Sequence, residues 1–159
     1  MSILILYDSF FGNTEQVAQA IGQALGSLGP VETLRINQVT PDRLAGSALV
    51  VVGSPTRGFR PSEGVTKFLK SIPADGLKGI KVAAFDTRIH VKDVNNVVLT
   101  AFVKLFGYAA EPIAKKLVKK GGILVVPAEG FFVKGSEGPL KEGEHERAAA
   151  WGRAIGKAI

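Results

Sequence analysis

The residues best suited to chemistry form a short stretch after an apolar run near the N-terminus: Ser9, Phe10, Phe11, Gly12, Asn13 and Thr14. Hydroxyl groups can donate hydrogen bonds to an anion, and a glycine permits the tight turn that exposes backbone N–H groups. An amphipathic pattern begins directly after this stretch, so the free N–H groups and the dipole of a helix N-terminus add to it. Because the stretch contains no Lys or Arg, it predicts a phosphate site built from neutral donors. The alternative interpretation is that Asn13 and Thr14 only cap the helix.

Several other kinds of site are excluded by what the sequence lacks. There is no GxGxxG pattern for a dinucleotide and no GxxxxGK[ST] loop for a nucleoside triphosphate. Cys is absent, which excludes disulfides, thiolate metal sites and Cys nucleophiles. The chain has only 2 His, and neither stands in a metal-ligand or Ser-His-Asp pattern. We therefore expect no metal site and assign no catalytic residue.

Apolar segments along the chain predict the elements that position the stretch. Nearly continuous apolar runs alternate with segments whose apolar residues recur at helical spacing. The predicted strands are Ile3–Tyr7, Val31–Ile36, Ala48–Val52, Lys81–Phe85 and Ile123–Val126, the last resuming at Phe131–Val133. Strands of this kind between amphipathic helices predict a doubly wound five-stranded parallel sheet in an α/β fold. We expect a single domain over residues 1–159.

Two further stretches end predicted strands, at the edge where such sheets bind ligands. They are Gly53–Gly58 after the third strand and Ala84–Arg88 after the fourth. A long insertion, Asp86–Gly107, follows, and its apolar spacing predicts an extra helix within Val94–Leu105 behind an Asp93 cap. Insertions at this edge tend to carry function.

Together these stretches resemble the flavodoxins. Ser9–Thr14 resembles their FMN-phosphate loop, whose core reads Ser/Thr-x-x-Gly-x-Thr after the first strand. Gly53–Gly58 resembles the second flavin loop of flavodoxin-like proteins, and Ala84–Arg88 stands where the third belongs. The broken fifth strand and the closing helix with Trp151 follow the short-chain layout. The resemblance spans essentially the whole chain and implies the strand order 2-1-3-4-5.

The resemblance implies a non-covalent FMN held by three groups of residues. The phosphate would be held by the first loop: Ser9, Phe10, Gly12, Asn13 and Thr14, with Phe11 beside them. One side of the isoalloxazine would be lined by the second loop: Pro55, Thr56, Arg57, Gly58 and Phe59. Its pyrimidine end would be approached by Asp86, Thr87 and Arg88. The third loop offers no aromatic ring, so a second ring would come from Phe106 or Tyr108, or be absent.

These features favour a redox protein that transfers electrons through FMN. The alternative is a flavodoxin-like NAD(P)H or quinone oxidoreductase, in which residues 86–107 would form a substrate pocket over the flavin. A flavin-free binding module is a third class, and the intact Ser9–Thr14 loop counts against it. The sequence leaves open whether the chain is an enzyme.

The charge balance departs from that of flavodoxins, which are strongly acidic. The chain has 20 Lys and Arg against 14 Asp and Glu, a net charge of +6. We therefore expect a redox partner protein with an acidic surface, while a quinone or nicotinamide substrate belongs to the alternative. The densest cluster, Lys115-Lys116 with Lys119-Lys120, ends a predicted helix, where the helix dipole favours a solvated face over a binding patch.

The sequence gives no sign of nucleic-acid or membrane binding. No basic stretch is interleaved with aromatics, and no apolar run approaches the roughly 20 residues that a membrane-spanning helix needs. The first residues lack the basic region and cleavage site of a signal peptide. We expect a cytoplasmic protein.

Overall fold

A computed structural model describes residues 2–90, 97–98, 101 and 107–159. The strands are β1 (Ile3–Tyr7), β2 (Val31–Arg35), β3 (Leu49–Pro55), β4 (Lys81–Ile89), β5 (Ile123–Leu124) and β6 (Glu129–Val133). The helices are α1 (Asn13–Leu25), α2 (Glu63–Ser71), α3 (Ala110–Lys119) and α4 (Glu144–Ala158). Residues 97–98 and 101 are helical, but the rest of the predicted helix Val94–Leu105 and its cap Asp93 lie outside the described residues. No helix within the described ranges is long and apolar enough to cross a membrane.

The described strands form a parallel sheet in the order β2-β1-β3-β4-β5, with β6 also paired to β4. This confirms the predicted doubly wound α/β fold and its strand order. The fifth strand is broken as expected, because β5 pairs with the start of β4 and β6 pairs with its end. The register sets Tyr7 opposite Gly53 and Gly53 opposite Phe85, so β1, β3 and β4 approach one edge together.

Successive strand residues point to opposite faces of the sheet, and each face buries its own core. On one face, aliphatic side chains such as Leu6, Val52 and Val82 pack with those of α2 and α3. On the other face, Phe85 and Phe131 pack with α1 and α4. The Trp151 ring lies 6.1 Å from Phe85 and 6.0 Å from Phe131, edge to face in both pairs. Both faces are covered, as nearly continuous apolar strands require.

Two strands run further than their predicted ends. β3 continues through Pro55 and β4 through Ile89, so Asp86, Thr87 and Arg88 lie within a strand and not in a loop after it. The prediction ended β4 at Phe85 because polar residues follow. β6 extends the ladder, pairing Phe85–Ile89 with Glu129–Val133. Polar residues are tolerated there because Asp86 and Arg88, two residues apart on one face, pair with each other.

Candidate cofactor site

A cavity of about 410 Å³ opens at the carboxyl ends of β1, β3 and β4. Eleven of the residues predicted for the site line it: Ser9, Phe10, Phe11, Asn13, Thr14, Pro55, Thr56, Arg57, Gly58, Thr87 and Arg88. Gly12, Phe59 and Asp86 are not among the lining residues. Four lining residues were missed by the sequence analysis: Ile89, Val133, Ser136 and Glu137. The cavity therefore joins all three predicted loops and adds a wall from the end of β6.

The first loop turns into α1 through Gly12, whose φ of 89° is in the left-handed region that favours glycine. The Gly12 N–H donates to Ser9 Oγ at 3.1 Å, and the Gln16 N–H donates to the Gly12 carbonyl at 3.1 Å. No side chain of the described residues caps α1. The alternative that Asn13 and Thr14 serve as caps is therefore wrong. The first N–H groups of the helix are left for another acceptor.

The side chains of Asn13 and Thr14 instead tie the first loop to its neighbours. Thr14 Oγ1 lies 2.8 Å from Thr87 Oγ1, a buried hydrogen bond between the two hydroxyls. Asn13 Nδ2 donates to the Glu137 carbonyl at 3.1 Å, which brings the segment after β6 to the cavity. These bonds bridge long stretches of chain, so no local pattern could have identified Glu137 as a lining residue.

Behind the first loop, Arg35 supplies a cation that the sequence analysis missed. It donates to the Ser9 carbonyl at 3.0 Å and to Glu15 Oε2 at 3.2 Å. The Tyr7 hydroxyl donates to the same Glu15 oxygen at 2.7 Å, and burial together with Glu15 raises the pKa of Tyr7. The cation is thus matched by a carboxylate. The feature that could have identified Arg35 is the parallel pairing of β1 with β2, which sets Tyr7 opposite Arg35.

The second loop contains a reversal in which Arg57 and Arg60 exchange backbone hydrogen bonds of 2.9 and 3.2 Å. Gly58 and Phe59 between them have φ values of 55° and 67°, both positive as in a type I′ turn. A bulky residue held there costs on the order of 1–3 kcal/mol, and such strain concentrates at functional sites. Arg57 Cζ lies 4.9 Å from the centre of the Phe10 ring, so this loop contacts the first.

Asp86 is fully buried and positions Arg88. Its two oxygens accept from Arg88 Nε and Nη2, both at 2.7 Å, and Oδ2 also accepts from the Ala110 N–H at 2.9 Å. Burial raises the pKa of Asp86, while Arg88 and the N–H group favour the carboxylate and offset part of that rise. Arg88 Cζ lies 3.8 Å from the centre of the Tyr108 ring. A Cβ at Gly130 would lie 2.1 Å from Arg88 Nε, so glycine there makes room for the guanidinium.

Aromatic rings at the cavity come from the first loop. Phe10 and Phe11 line it with 54% and 49% of their surface exposed. The sequence predicts a second ring from Phe106 or Tyr108, or none. Phe106 lies outside the described residues, and Tyr108 packs against Arg88. The sequence analysis placed Phe10 and Phe11 in the phosphate loop, and the structure adds that both side chains line the cavity.

The added wall is held by α4. Glu144 accepts from the Phe132 N–H at 2.7 Å and from Arg147 Nε at 2.9 Å, and Arg147 also donates to the Gly130 carbonyl. Although burial alone would raise the pKa of Glu144, these hydrogen bonds outweigh it and lower that pKa. The anchor fixes β6, and with it Val133, beside the cavity.

The donor set fits a ligand with an anionic end and an apolar planar ring. At one end the cavity presents the uncapped start of α1 and the hydroxyls of Ser9, Thr14 and Thr87. Elsewhere it presents apolar surface from Phe10, Phe11, Pro55, Ile89 and Val133. A pocket of this size and mixed lining is typical of cofactor sites. FMN, with a phosphate and an isoalloxazine ring, matches both ends.

The family model for flavodoxins matches residues 5–151. The chain belongs to the flavodoxin family. Flavodoxins bind FMN as their cofactor, in agreement with the resemblance of the three loops. A flavodoxin from Clostridium saccharobutylicum is 25% identical over 161 residues, covering 100% of this chain and 98% of that relative.

Solved flavodoxin structures share the fold. Oxidised flavodoxin 2 from Bacillus cereus superposes with a TM-score of 0.79 at 22% identity, covering 100% of both chains. A flavodoxin from the domain Archaea gives a TM-score of 0.77 at 21% identity, covering 99% of this chain and 97% of that chain. The flavodoxin-like architecture is therefore shared over essentially the full length.

Proposed function

We propose that this chain transfers electrons to or from a partner protein through a non-covalently bound FMN. When bound, FMN supplies the exchange of one or two electrons, and the protein supplies binding, orientation and electrostatics. The cavity gives the main support, because it combines a helix N-terminus without a side-chain cap with exposed aromatic surface. Family membership supports the same cofactor.

In this proposal the first loop holds the phosphate. Ser9, Thr14 and Thr87 offer hydroxyl donors, and the N–H groups of the first turn of α1 point to the same end. Gly12 allows the turn that exposes them, and Asn13 and Phe10 complete the loop. Hydrogen bonds to a charged group are roughly twice as strong as those between neutral groups, so neutral donors suffice.

The remaining residues proposed for the site orient the ring and exclude water from it. Phe10, Phe11 and the second-loop residues Pro55, Thr56, Arg57 and Gly58 form the apolar and backbone surface on which the ring would rest, and Phe59 completes the turn of that loop. Arg88 lines the cavity with its guanidinium fixed, and Asp86 acts through Arg88 from beneath. Asp86 is therefore a positioning residue in this proposal.

Titration of the apoprotein with FMN and with riboflavin tests this assignment. We expect FMN to bind at least tenfold more tightly than riboflavin, because hydrogen bonds to the phosphate contribute roughly 1.5–3 kcal/mol each. Equal affinity for the two flavins would overturn the phosphate assignment. The loaded protein should exchange electrons with an electron-transfer protein. Steady turnover of NAD(P)H with a quinone would instead establish the reductase alternative.

We also propose a cytoplasmic location and a partner with an acidic surface. The support for the partner is the net charge of +6, since complementary charge accelerates encounter. The prediction follows that association slows as salt rises, because ions screen exposed charges beyond about 10 Å at 0.1 M.

A further inference from the structure

Lysines gather at the end of the sheet opposite the cavity. Residues 64–83 and 112–126 contain eight lysines and a single acid, Asp75, a net charge of +7. These lysines, here called the lysine patch, are Lys67, Lys70, Lys78, Lys81, Lys115, Lys116, Lys119 and Lys120. Because the whole chain carries +6, all other residues together carry −1. The positive excess of the protein therefore belongs to this one region.

The fold brings the two segments together. The Leu77 N–H donates to the Lys120 carbonyl at 3.0 Å, and Lys120 Nζ donates to the Ile72 carbonyl at 2.5 Å. The Ile123 N–H donates to the Ile80 carbonyl at 2.9 Å. In a doubly wound fold, α2 and α3 run back along the sheet, so they end where β4 and β5 begin. The cavity lies at the carboxyl ends of the strands, so the lysine patch extends from the middle of α2 and α3, at Lys67 and Lys115, to the opposite end of the sheet.

The described residues do not neutralise this charge. In every ion pair among the described residues the cation is an arginine. Five patch lysines are exposed to solvent: Lys67, Lys70, Lys78, Lys115 and Lys119. The ends of two helix dipoles favour cations here, but each is equivalent to only about half a negative charge. With no ion pair to another described residue, the patch lysines present their positive charge to a partner.

We propose that the lysine patch is a docking surface for the acidic face of a partner protein, separate from the cofactor cavity. Exposed aliphatic side chains lie on the same part of the chain: Val118 at 46%, Ile123 at 52% and Leu124 at 39%. An apolar centre with a charged surround is the anatomy of a protein interface. Hydrated, flexible lysines suit rapid, salt-sensitive encounter with carboxylates.

Nucleic acid and membrane fit this surface less well. The two patch segments contain no Arg, the residue best suited to bidentate phosphate contacts. Their one aromatic residue, Phe68, is buried in the core, so no ring is presented for base stacking. Interfacial membrane anchors place Trp, Phe and Leu along one helix face, whereas the exposed apolar residues here are three aliphatics split between α3 and β5.

Docking at this end has a functional consequence. A partner held on the lysine patch leaves the cavity uncovered, so the cavity remains open to a second molecule. The patch would set how fast and how tightly the partner associates. It would leave the surroundings of the cavity unchanged.

Binding of a fluorescently labelled poly-glutamate peptide tests the proposal with two charge-matched variants. Lys115→Glu/Lys119→Glu reverses two patch lysines. Lys134→Glu/Lys157→Glu makes the same charge change outside the patch, since Lys134 lies beside the cavity-lining Val133 and Lys157 lies on α4, which packs on the opposite face of the sheet from α2 and α3. We expect the patch variant to lose affinity about tenfold or more and the control less than about threefold, with affinity falling as salt rises. Equal losses in both variants would overturn the proposal.

Amide chemical-shift mapping of the parent locates the peptide. Changes should cluster at residues 67–81 and 115–124, and changes confined to the cavity loops would contradict the proposal. Tighter binding to phosphatidylserine vesicles or to duplex DNA than to poly-glutamate would also overturn it. Lys115→Gln/Lys119→Gln, with a smaller loss, replaces the reversed variant if that variant fails to fold. None of these measurements needs FMN, so their failure is distinguishable from failure of the proposed function.

Discussion

The two ends of the sheet differ in whether their positively charged side chains have partners within the described part of the chain. At the cavity end, Arg88 is paired with Asp86, Arg35 with Glu15, and Arg57 lies over the Phe10 ring. At the opposite end, the two segments that hold the lysine patch carry a net charge of +7, and the patch lysines make no ion pair within the described residues. Matched charges hold side chains in position, whereas unmatched charges act on molecules in solution. The net charge of +6 therefore bears on the encounter with a partner and not on the electrostatic potential at the cavity.

The pairing of the arginines near the cavity with carboxylates limits their expected effect on the midpoint potential of the flavin. An unmatched cation beside a flavin would make its reduced, more negative form easier to reach. With Asp86 holding Arg88 and Glu15 holding Arg35, most of that effect is cancelled locally. We therefore expect Arg35, Arg57 and Arg88 together to shift the flavin midpoint potential less than three unpaired arginines would.

Breaking the ion pair between Arg88 and Asp86 should have the largest effect, a loss of folding stability. Arg88→Ala leaves the buried Asp86 carboxylate unpaired, which costs about 3–5 kcal/mol in the free energy of unfolding. The pKa of Asp86 is already raised, so its contribution to stability is complete below its unfolded pKa and declines as pH rises through its folded pKa. Without Arg88 that pKa rises further, so urea unfolding should show the largest loss at neutral pH and a smaller one in mild acid.

The double variant Asp86→Asn/Arg88→Ala is the control for this effect. It removes both charges and should recover most of the lost stability, with a weaker dependence on pH. A loss in Arg88→Ala that is the same at neutral and acidic pH would mean that the pair is not what stabilises this end of β4.

Removing the carboxylate partner of Arg35 should have a smaller effect, which we expect in the affinity for FMN. Glu15→Gln removes the carboxylate beside a guanidinium that remains bonded to the Ser9 carbonyl. We expect FMN to bind roughly two- to fivefold more tightly at low salt, as an exposed ion pair is worth about 0.2–1 kcal/mol. Riboflavin, which has no phosphate, should be unaffected. An equal gain for both flavins would indicate a change of loop structure instead of charge.

Removing charge from the lysine patch should have the smallest effect on stability. Lys115 and Lys119 are four residues apart on α3, where like charges destabilise a helix by about 0.2–0.5 kcal/mol. Loss of the favourable interaction between Lys119 and the end of the helix dipole opposes this relief of repulsion. Lys115→Gln/Lys119→Gln should therefore change the free energy of unfolding by no more than about 0.5 kcal/mol at low salt, and the change should vanish at high salt. A clearly larger loss of stability would show that these lysines have partners within the fold.

The sequence predicted the fold well because one strong signal specifies it. Alternation of apolar strands with amphipathic helices requires a covered parallel sheet, and this fold places the carboxyl ends of β1, β3 and β4 together. The signal weakens where polar residues continue a strand. Asp86 and Arg88 therefore marked the end of β4 in the sequence, although they pair with each other inside it.

Long-range contacts account for what the sequence could not supply at the site. Glu137 reaches the cavity through a hydrogen bond from Asn13, and Arg35 reaches the first loop through the pairing of β1 with β2. Asp93 and Phe106 lie outside the described residues, so the roles expected of them stay predictions. The assignment of individual residues to FMN and the single-domain boundary stay predictions as well.

The most direct test of FMN binding by the first loop compares Thr14→Val with Thr14→Ser. Valine keeps the shape of threonine without its hydroxyl, whereas serine keeps the hydroxyl that now pairs with Thr87 at 2.8 Å. Titration of each apoprotein should show FMN affinity reduced about tenfold or more in Thr14→Val and nearly unchanged in Thr14→Ser. Riboflavin affinity should be alike in the parent and both variants. If Thr14→Val binds FMN as tightly as the parent, this loop does not hold the phosphate.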